Sequence, residues 1–189
     1  MESKWGDLPE DFKRCAEFHG HICPGLAIGY RASLTAMAFL KEKRAIDEEL
    51  VAIVENDACG VDAVQVLTGC TFGKGNLIHK DYGKQVFTFI GRGSGRGVRV
   101  ALRAGVIDPP KGEGHQPMER REKMKRILSL PQGQLFSLKE VTIPPPPRAI
   151  IEPSISCDRC KEPTMKSKLR EIEGERLCMD CIEALGLNL

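Results

Sequence analysis

The sequence predicts an α+β fold, a mixed and largely antiparallel sheet with helices packed on it, followed by a small C-terminal zinc-ribbon module. Three features carry that reading. Helical and β-type apolar runs follow one another without a regular βαβ repeat; the β-type runs are joined by tight glycine-bearing turns, which favour antiparallel pairing; and four closely spaced cysteines follow a run of four prolines. A length of 189 residues suits one ordinary domain plus a small appendage.

LPEDFKRCAEF (8–18) and LAIGYRASLTAMAFLKEK (26–43) carry apolar residues at helical spacing, the second with basic residues near its end, where the helix dipole favours them. ELVAIVEN (49–56) is short, β-branched and apolar, the mark of a buried strand, and VDAVQVLTG (61–69) reads as a brief helix stopped by Gly69. NLIHKDYGKQVFTFIG (76–91) reads as two strands around a turn at 81–83. GVRVALR (97–103) is a further strand, PMERREKMKRILSL (117–130) an amphipathic helix, and KEVTI (139–143) the last strand. GRGSGRGVR (91–99) lacks the GxxxxGK[ST] pattern and falls between two strands, so it reads as a hairpin turn and not a phosphate loop. PPPP (144–147) prefers a stiff, extended conformation. The expected organisation is a metal-binding domain over 1–143, a proline-rich linker over 144–154 and a four-cysteine ribbon over 155–189.

Hydrophobic residues make up 41% and charged residues 29% of the chain, and no run approaches the roughly 20 apolar residues of a membrane span. MESKWGDLPEDF carries acids where a signal peptide would be basic, which predicts a soluble, cytoplasmic protein. Thiols stay reduced there, so the eight cysteines point to metal or to chemistry and not to disulfides. The net charge of +2 is unevenly spread: residues 92–126 hold ten Lys/Arg against four Asp/Glu. Such a stretch is a solvated basic face or the meeting place of an anionic ligand, an acidic partner or nucleic acid.

Cys157-x2-Cys160 and Cys178-x2-Cys181 are two thiolate pairs whose two-residue spacers let tight knuckles aim all four sulfurs at one tetrahedral zinc ion. A module this small cannot fold on apolar burial alone, so the metal stabilises it. Its six basic and seven acidic groups, with a zinc tetrathiolate of −2, give a formal −3, which makes nucleic acid an unlikely partner. A structural or protein-docking role follows. ERLCMDCIEAL resembles the last knuckle and helix of the DksA and TraR zinc-finger regulators, so a regulatory or metal-handling protein is the alternative.

EFHGHICPG (17–25) sets His19, His21 and Cys23 ahead of the long helix, where the helix N-terminus lowers a thiol's pKa. Cys59 and Cys70 are the further candidate ligands, with His79 and Cys15 weaker. A nitrogen and sulfur shell with three protein ligands and one open position suits a reactive or ligand-binding site for zinc or another transition metal. Around Cys59, Glu55, Asp57 and Asp62 are candidate supporting acids, Asp62 also being a candidate helix cap. Lys74 and Lys80 are candidates to hold an anionic substrate over the metal. Cys23 beside a histidine could instead be a nucleophile.

HGHICPG, GLAIGYRAS, ENDACGVDAVQVLTGCTFGKGNL and DYGKQVFTF, in that order, resemble the FmdE family of formylmethanofuran dehydrogenase proteins, densely over 10–105 and through the ribbon over nearly the whole chain. The resemblance implies an α+β metal-binding domain accessory to molybdenum- or tungsten-dependent one-carbon metabolism, with dehydrogenase subunits as partners. Nothing here resembles a pterin-binding or ferredoxin-type sequence, so the chain is not a complete dehydrogenase by itself. Self-association as a dimer is expected, because a stiff proline segment and a small ribbon suit docking onto a neighbouring protomer.

Overall fold

The structure, a computed structural model, describes residues 5–108 and 118–187. The chain divides into two compact units, residues 1–149 and 150–189. No helix among the described residues is long and apolar enough to cross a membrane.

The first unit runs α1 (Glu10–His19), α2 (Pro24–Leu40), β1 (Leu50–Val54), α3 (Gly60–Thr68), β2 (Leu77–His79), β3 (Val86–Gly91), β4 (Gly97–Leu102), α4 (Arg120–Ser129), α5 (Gln132–Leu135) and β5 (Phe136–Val141). Helix α1 carries Glu10 and Asp11 in its first turn, where the dipole favours acids, and stops at Gly20 in the left-handed region, φ 90°. Helix α2 begins with Cys23 as its cap and Pro24 in its first turn. It ends at Leu40, short of the expected position 43, because Lys41 takes a left-handed conformation, φ 58°. Residue 117, the expected start of α4, lies outside the described residues.

The sheet order is β2-β1-β3-β4-β5, with β1 and β2 parallel and every other pair antiparallel. Strands β2 and β3 do not pair around the 81–83 turn as their spacing suggests. Strand β1 lies between them, Ala52 facing Leu77 on one side and Phe89 on the other. Its sequence LVAIV is apolar throughout and nearly all buried, so both of its edges need partners. GRGSGRG is the turn between β3 and β4.

Alternate residues of the three central strands, Leu50, Ala52 and Val54, Phe87 and Phe89, Val98 and Val100, join Phe12, Leu26, Ile127 and Phe136 in one core. Arg31 of α2 donates to the carbonyls of Ile127, Leu128 and Leu130 at 2.6–2.7 Å. These belong to the end of α4, where carbonyls lack partners within the helix, so one guanidinium seats α4 on α2. The nearly buried pair Arg92–Glu48 (3.2 Å) holds the proline run: Arg92 donates to the Pro146 carbonyl, and Glu48 accepts from the Ala149 N–H.

The second unit consists of a hairpin of β6 (Ser154–Ser156) and β7 (Pro163–Met165), a 3-10 turn at Lys166–Lys168, a hairpin of β8 (Arg170–Ile172) and β9 (Glu175–Leu177), and α6 (Met179–Ala184). Leu177 and Ile182 are its fully buried aliphatics, packed with Cys157, Cys178 and Cys181.

Candidate metal centres

The first cluster is assembled by the way α1, α2 and α3 meet. Left-handed Gly20 turns the chain sharply after His19, bringing His21 and Cys23 back toward it. Cys59 stands immediately before α3, where it makes no side-chain capping bond. It reaches Cys23 because α2 crosses α3 with Gly29 directly against Gly60, where a Cβ on Gly29 would lie 2.0 Å from the Gly60 carbonyl oxygen. One turn earlier, Gly25 leaves room for the Cys59 side chain.

One donor atom each from His19, His21, Cys23 and Cys59 lies within 4.8 Å of every other. Zinc bonds of about 2.3 Å to sulfur and about 2.0 Å to nitrogen separate tetrahedral donors by about 3.3–3.8 Å, so small side-chain adjustments close this set on one ion. His19 Nδ1 lies 2.7 Å from Asp62 Oδ2, while its Nε2 lies 3.9 Å from Cys23 Sγ. The carboxylate accepts from Nδ1–H and leaves the Nε2 lone pair for the cluster, an arrangement that fixes tautomer and ring orientation at metal sites. The His19 and His21 rings sit 4.3 Å apart, and His21 is exposed.

Cys23 differs from its expected state. Its Sγ accepts from the Leu26 N–H at the helix start, which lowers its pKa, but burial raises it more and neighbouring Cys59 adds to the rise. The thiol is held above its ordinary value. A cation bound beside it would offset that rise by favouring the thiolate.

Cys70 does not join the cluster. Its thiol is fully buried and donates to the Leu50 carbonyl at 3.2 Å. Burial pushes its pKa from 9.0 up to about 11, so the folded chain keeps the proton over a range in which the unfolded chain releases it. This contribution to stability is complete below pH 9 and is lost as the pH rises toward 11. Over that interval the wild type is expected to lose about 2 kcal/mol more than Cys70→Ser, which keeps the donor without titrating. Denaturant unfolding followed by the emission of Trp5, which packs on the core of the first unit, measures this; parallel curves for the two proteins refute it.

The other candidates separate. A cleft of about 450 Å³ is lined by His19, Asp57, Cys59, Asp62 and His79 among apolar walls that include Phe72. Glu55 turns away and pairs with Arg99 of β4 at 3.3 Å. Lys74 is held by the carbonyls of Ile46 and Asp47, and Lys80 lies over the Tyr82 ring. Neither lysine lines the cleft. Asp62 makes no capping bond; its role is to orient His19, a contact across 43 residues that no local spacing reveals.

In the second unit the sulfurs of Cys157, Cys160, Cys178 and Cys181 converge, with Cys157–Cys181 at 3.9 Å and Cys160–Cys178 at 3.8 Å. A tetrahedron of zinc–sulfur bonds of about 2.3 Å has edges of about 3.8 Å. The Cys178 N–H donates to Cys157 Sγ and holds that thiol below its ordinary pKa.

Comparison with known proteins places both units. Residues 18–137 match the family model described as FmdE, molybdenum formylmethanofuran dehydrogenase operon, and residues 151–184 match the prokaryotic dksA/traR C4-type zinc finger. A probable S-adenosyl-L-methionine-binding protein of Archaeoglobus fulgidus is 32% identical over 89% of this chain and 51% of its own length. The chain thus spans about half of that curated relative. The crystal structure of a tungsten formylmethanofuran dehydrogenase FmdE-like protein from Syntrophus aciditrophicus superposes with a TM-score of 0.69 at 26% identity, over 93% of this chain and 91% of that one. The four-sulfur set and the C4 match make the second unit a zinc finger.

Proposed function

The chain belongs to the FmdE family, and on that premise we propose that its first unit holds one transition-metal ion on His19, His21, Cys23 and Cys59 and binds a small ligand beside it. The observation that carries this reading is the convergence of four donors from three helices, with His19 oriented by Asp62, at the edge of a cleft. Imidazole and thiolate donors suit zinc among the common divalent ions. When bound, the ion supplies a Lewis-acidic centre at the cleft edge. Asp62 fixes the ring that faces it, Cys23 and Cys59 supply the negative charge, and exposed His21 is the donor that can give way to a ligand atom. Asp57 and Asp62 flank the cleft, and no Lys or Arg among the described residues lines it, which favours ligand groups that donate hydrogen bonds.

We further place the protein as an accessory to a molybdenum- or tungsten-dependent enzyme of one-carbon metabolism. The family description and the solved neighbour, both tied to formylmethanofuran dehydrogenase, support this. The finger, formally −3 with zinc bound, suits a protein surface better than a phosphate backbone. Adding the chain back to a dehydrogenase preparation from cells that lack it is expected to raise turnover severalfold, and an unchanged rate rejects the accessory role.

Metal content tests the site itself. Elemental analysis of the full-length protein is expected to give about two ions per chain, and Cys23→Ser about one. Asp62→Asn keeps all four donors but loses the carboxylate behind His19, so affinity for the first ion is expected to fall about 10–100-fold in competition with a chelator. A wild-type content near one, unchanged in Cys23→Ser, rejects the first site.

A further inference from the structure

Among the described residues of the basic stretch at 92–126, two groups of cations stand out. Arg92, Arg96 and Arg99 each pair with a glutamate, Glu48, Glu140 and Glu55 respectively, and Arg126 donates to the Val106 carbonyl. Arg103, Arg120 and Lys123 instead line one cleft of about 550 Å³, at the end of β4 and the start of α4. Past Pro24, Arg120 also borders a recess of about 300 Å³ that contains Arg121 and reaches Cys23.

Asp108 is the one acid on the larger cleft among the described residues, and its carboxylate is engaged with Lys123 at 2.8 Å. Arg103 uses its Nε on the carbonyls of Gly133 and Phe136, which braces the guanidinium at the cleft wall. The side chains of Arg120 and Arg121 make no hydrogen bond or ion pair among the described residues, although the Arg120 charge is felt at Cys23. Gln85 lines the same cleft, and its Oε1 is shielded from solvent without any hydrogen-bond partner among the described residues. A buried acceptor left bare is costly, so it marks where a donor belongs.

We propose that this cleft is a binding site for a small anionic molecule. Its phosphate or carboxylate group is held by Arg103, Arg120 and Lys123, and a hydrogen-bond donor on the same molecule meets Gln85. Guanidinium forks match both oxyanions bidentately, and the cleft volume falls in the range of small-ligand sites. Nucleic acid does not fit the pattern. It needs a continuous cationic stripe, whereas the glutamates neutralise the part of the stretch that lies on β4 and its turn. The site uses none of the metal donors, and it assigns a role to cations that the metal centres leave unexplained.

Titration calorimetry of the full-length, metal-loaded protein with pyrophosphate and with citrate tests this. At least one of the two is expected to bind, more weakly as salt is added. Arg120→Gln and Lys123→Gln are each expected to weaken binding at least about tenfold. Arg170→Gln, an exposed change in the second unit, is expected to leave it unchanged. A preference for pyrophosphate identifies a phosphate ligand, and a preference for citrate a carboxylate. Trp5 emission confirms that each variant is folded. Failure of both anions to bind at millimolar concentration overturns the site, as does binding indifferent to Arg120→Gln.

Discussion

Cys157→Ser is expected to unfold residues 150–189 and to remove one metal ion per chain while the first unit stays folded. The reason is the size of the core. Among the described residues, Leu177 and Ile182 are the fully buried aliphatics of this unit, supported by half-buried Leu169 and Ile172. At about 1.5–3 kcal/mol for each fully buried aliphatic side chain, their burial falls far short of the conformational entropy of some forty residues. The hairpins β6–β7 and β8–β9 are only three residues per strand, below the length that sustains a hairpin in water. Zinc closes the gap, since tetrathiolate binding in small modules supplies about 10–16 kcal/mol and is inseparable from folding. Fully buried Cys157 sits at the centre, its sulfur accepting from the Cys178 N–H and lying 3.9 Å from Cys181. Serine offers an oxygen that neither reaches nor ionises as the sulfur does. Hydrogen exchange should show β6 to α6 unprotected in the variant, with metal content down by about one ion and Trp5 emission unchanged. Protected amides across this region in a metal-depleted Cys157→Ser protein defeat the argument.

That unit was legible because its chemistry is local: two residues between cysteines and two knuckles suffice to define it. Helices α1 to α4 of the first unit were legible for the same reason, whereas the four-residue α5 is too short to show a period. Gly20 and Gly69 stop α1 and α3 where the apolar spacing ends. What escaped depends on contacts between distant segments. The insertion of β1 between β2 and β3 follows from the need to cover both edges of an apolar strand, which no turn signal carries. Cys59 follows the buried strand β1 and Cys70 follows α3, yet one faces the cluster and the other the Leu50 carbonyl, a difference set by which end of α3 each flanks. Lys74 looks free in a flexible loop, but three backbone carbonyls of the 45–47 turn claim its ammonium. Asp62 reads both as a supporting acid and as a helix cap, and its contact with His19 across 43 residues decides for the first, though no local spacing names the partner. The one overlooked local signal is Gly25-x3-Gly29, two glycines a turn apart on α2, which mark a face prepared for the close approach of another backbone.

Gly29→Ala tests whether that approach is what creates the first metal site. A Cβ at position 29 would lie 2.0 Å from the Gly60 carbonyl oxygen and 2.5 Å from its Cα and carbonyl carbon, and backbone cannot swing aside as a side-chain tip can. Helices α2 and α3 must then move apart. Overpacking of this kind costs about 1–3 kcal/mol when side chains absorb it, and the upper end applies where main chain meets main chain. The consequence reaches the metal because Cys23 starts α2 and Cys59 starts α3, so separating the helices separates the sulfurs. The expected result is a loss of about 3 kcal/mol in denaturant unfolding followed by Trp5, with metal content near one ion per chain and the four-cysteine site still occupied. Gly133→Ala is the control: nothing lies within 4 Å of its added Cβ, and its stability and metal content should match or slightly exceed the wild type. If Gly29→Ala unfolds with the wild type and still carries two ions, the glycine crossing does not position the cluster, and the convergence of imidazole and sulfur has another cause.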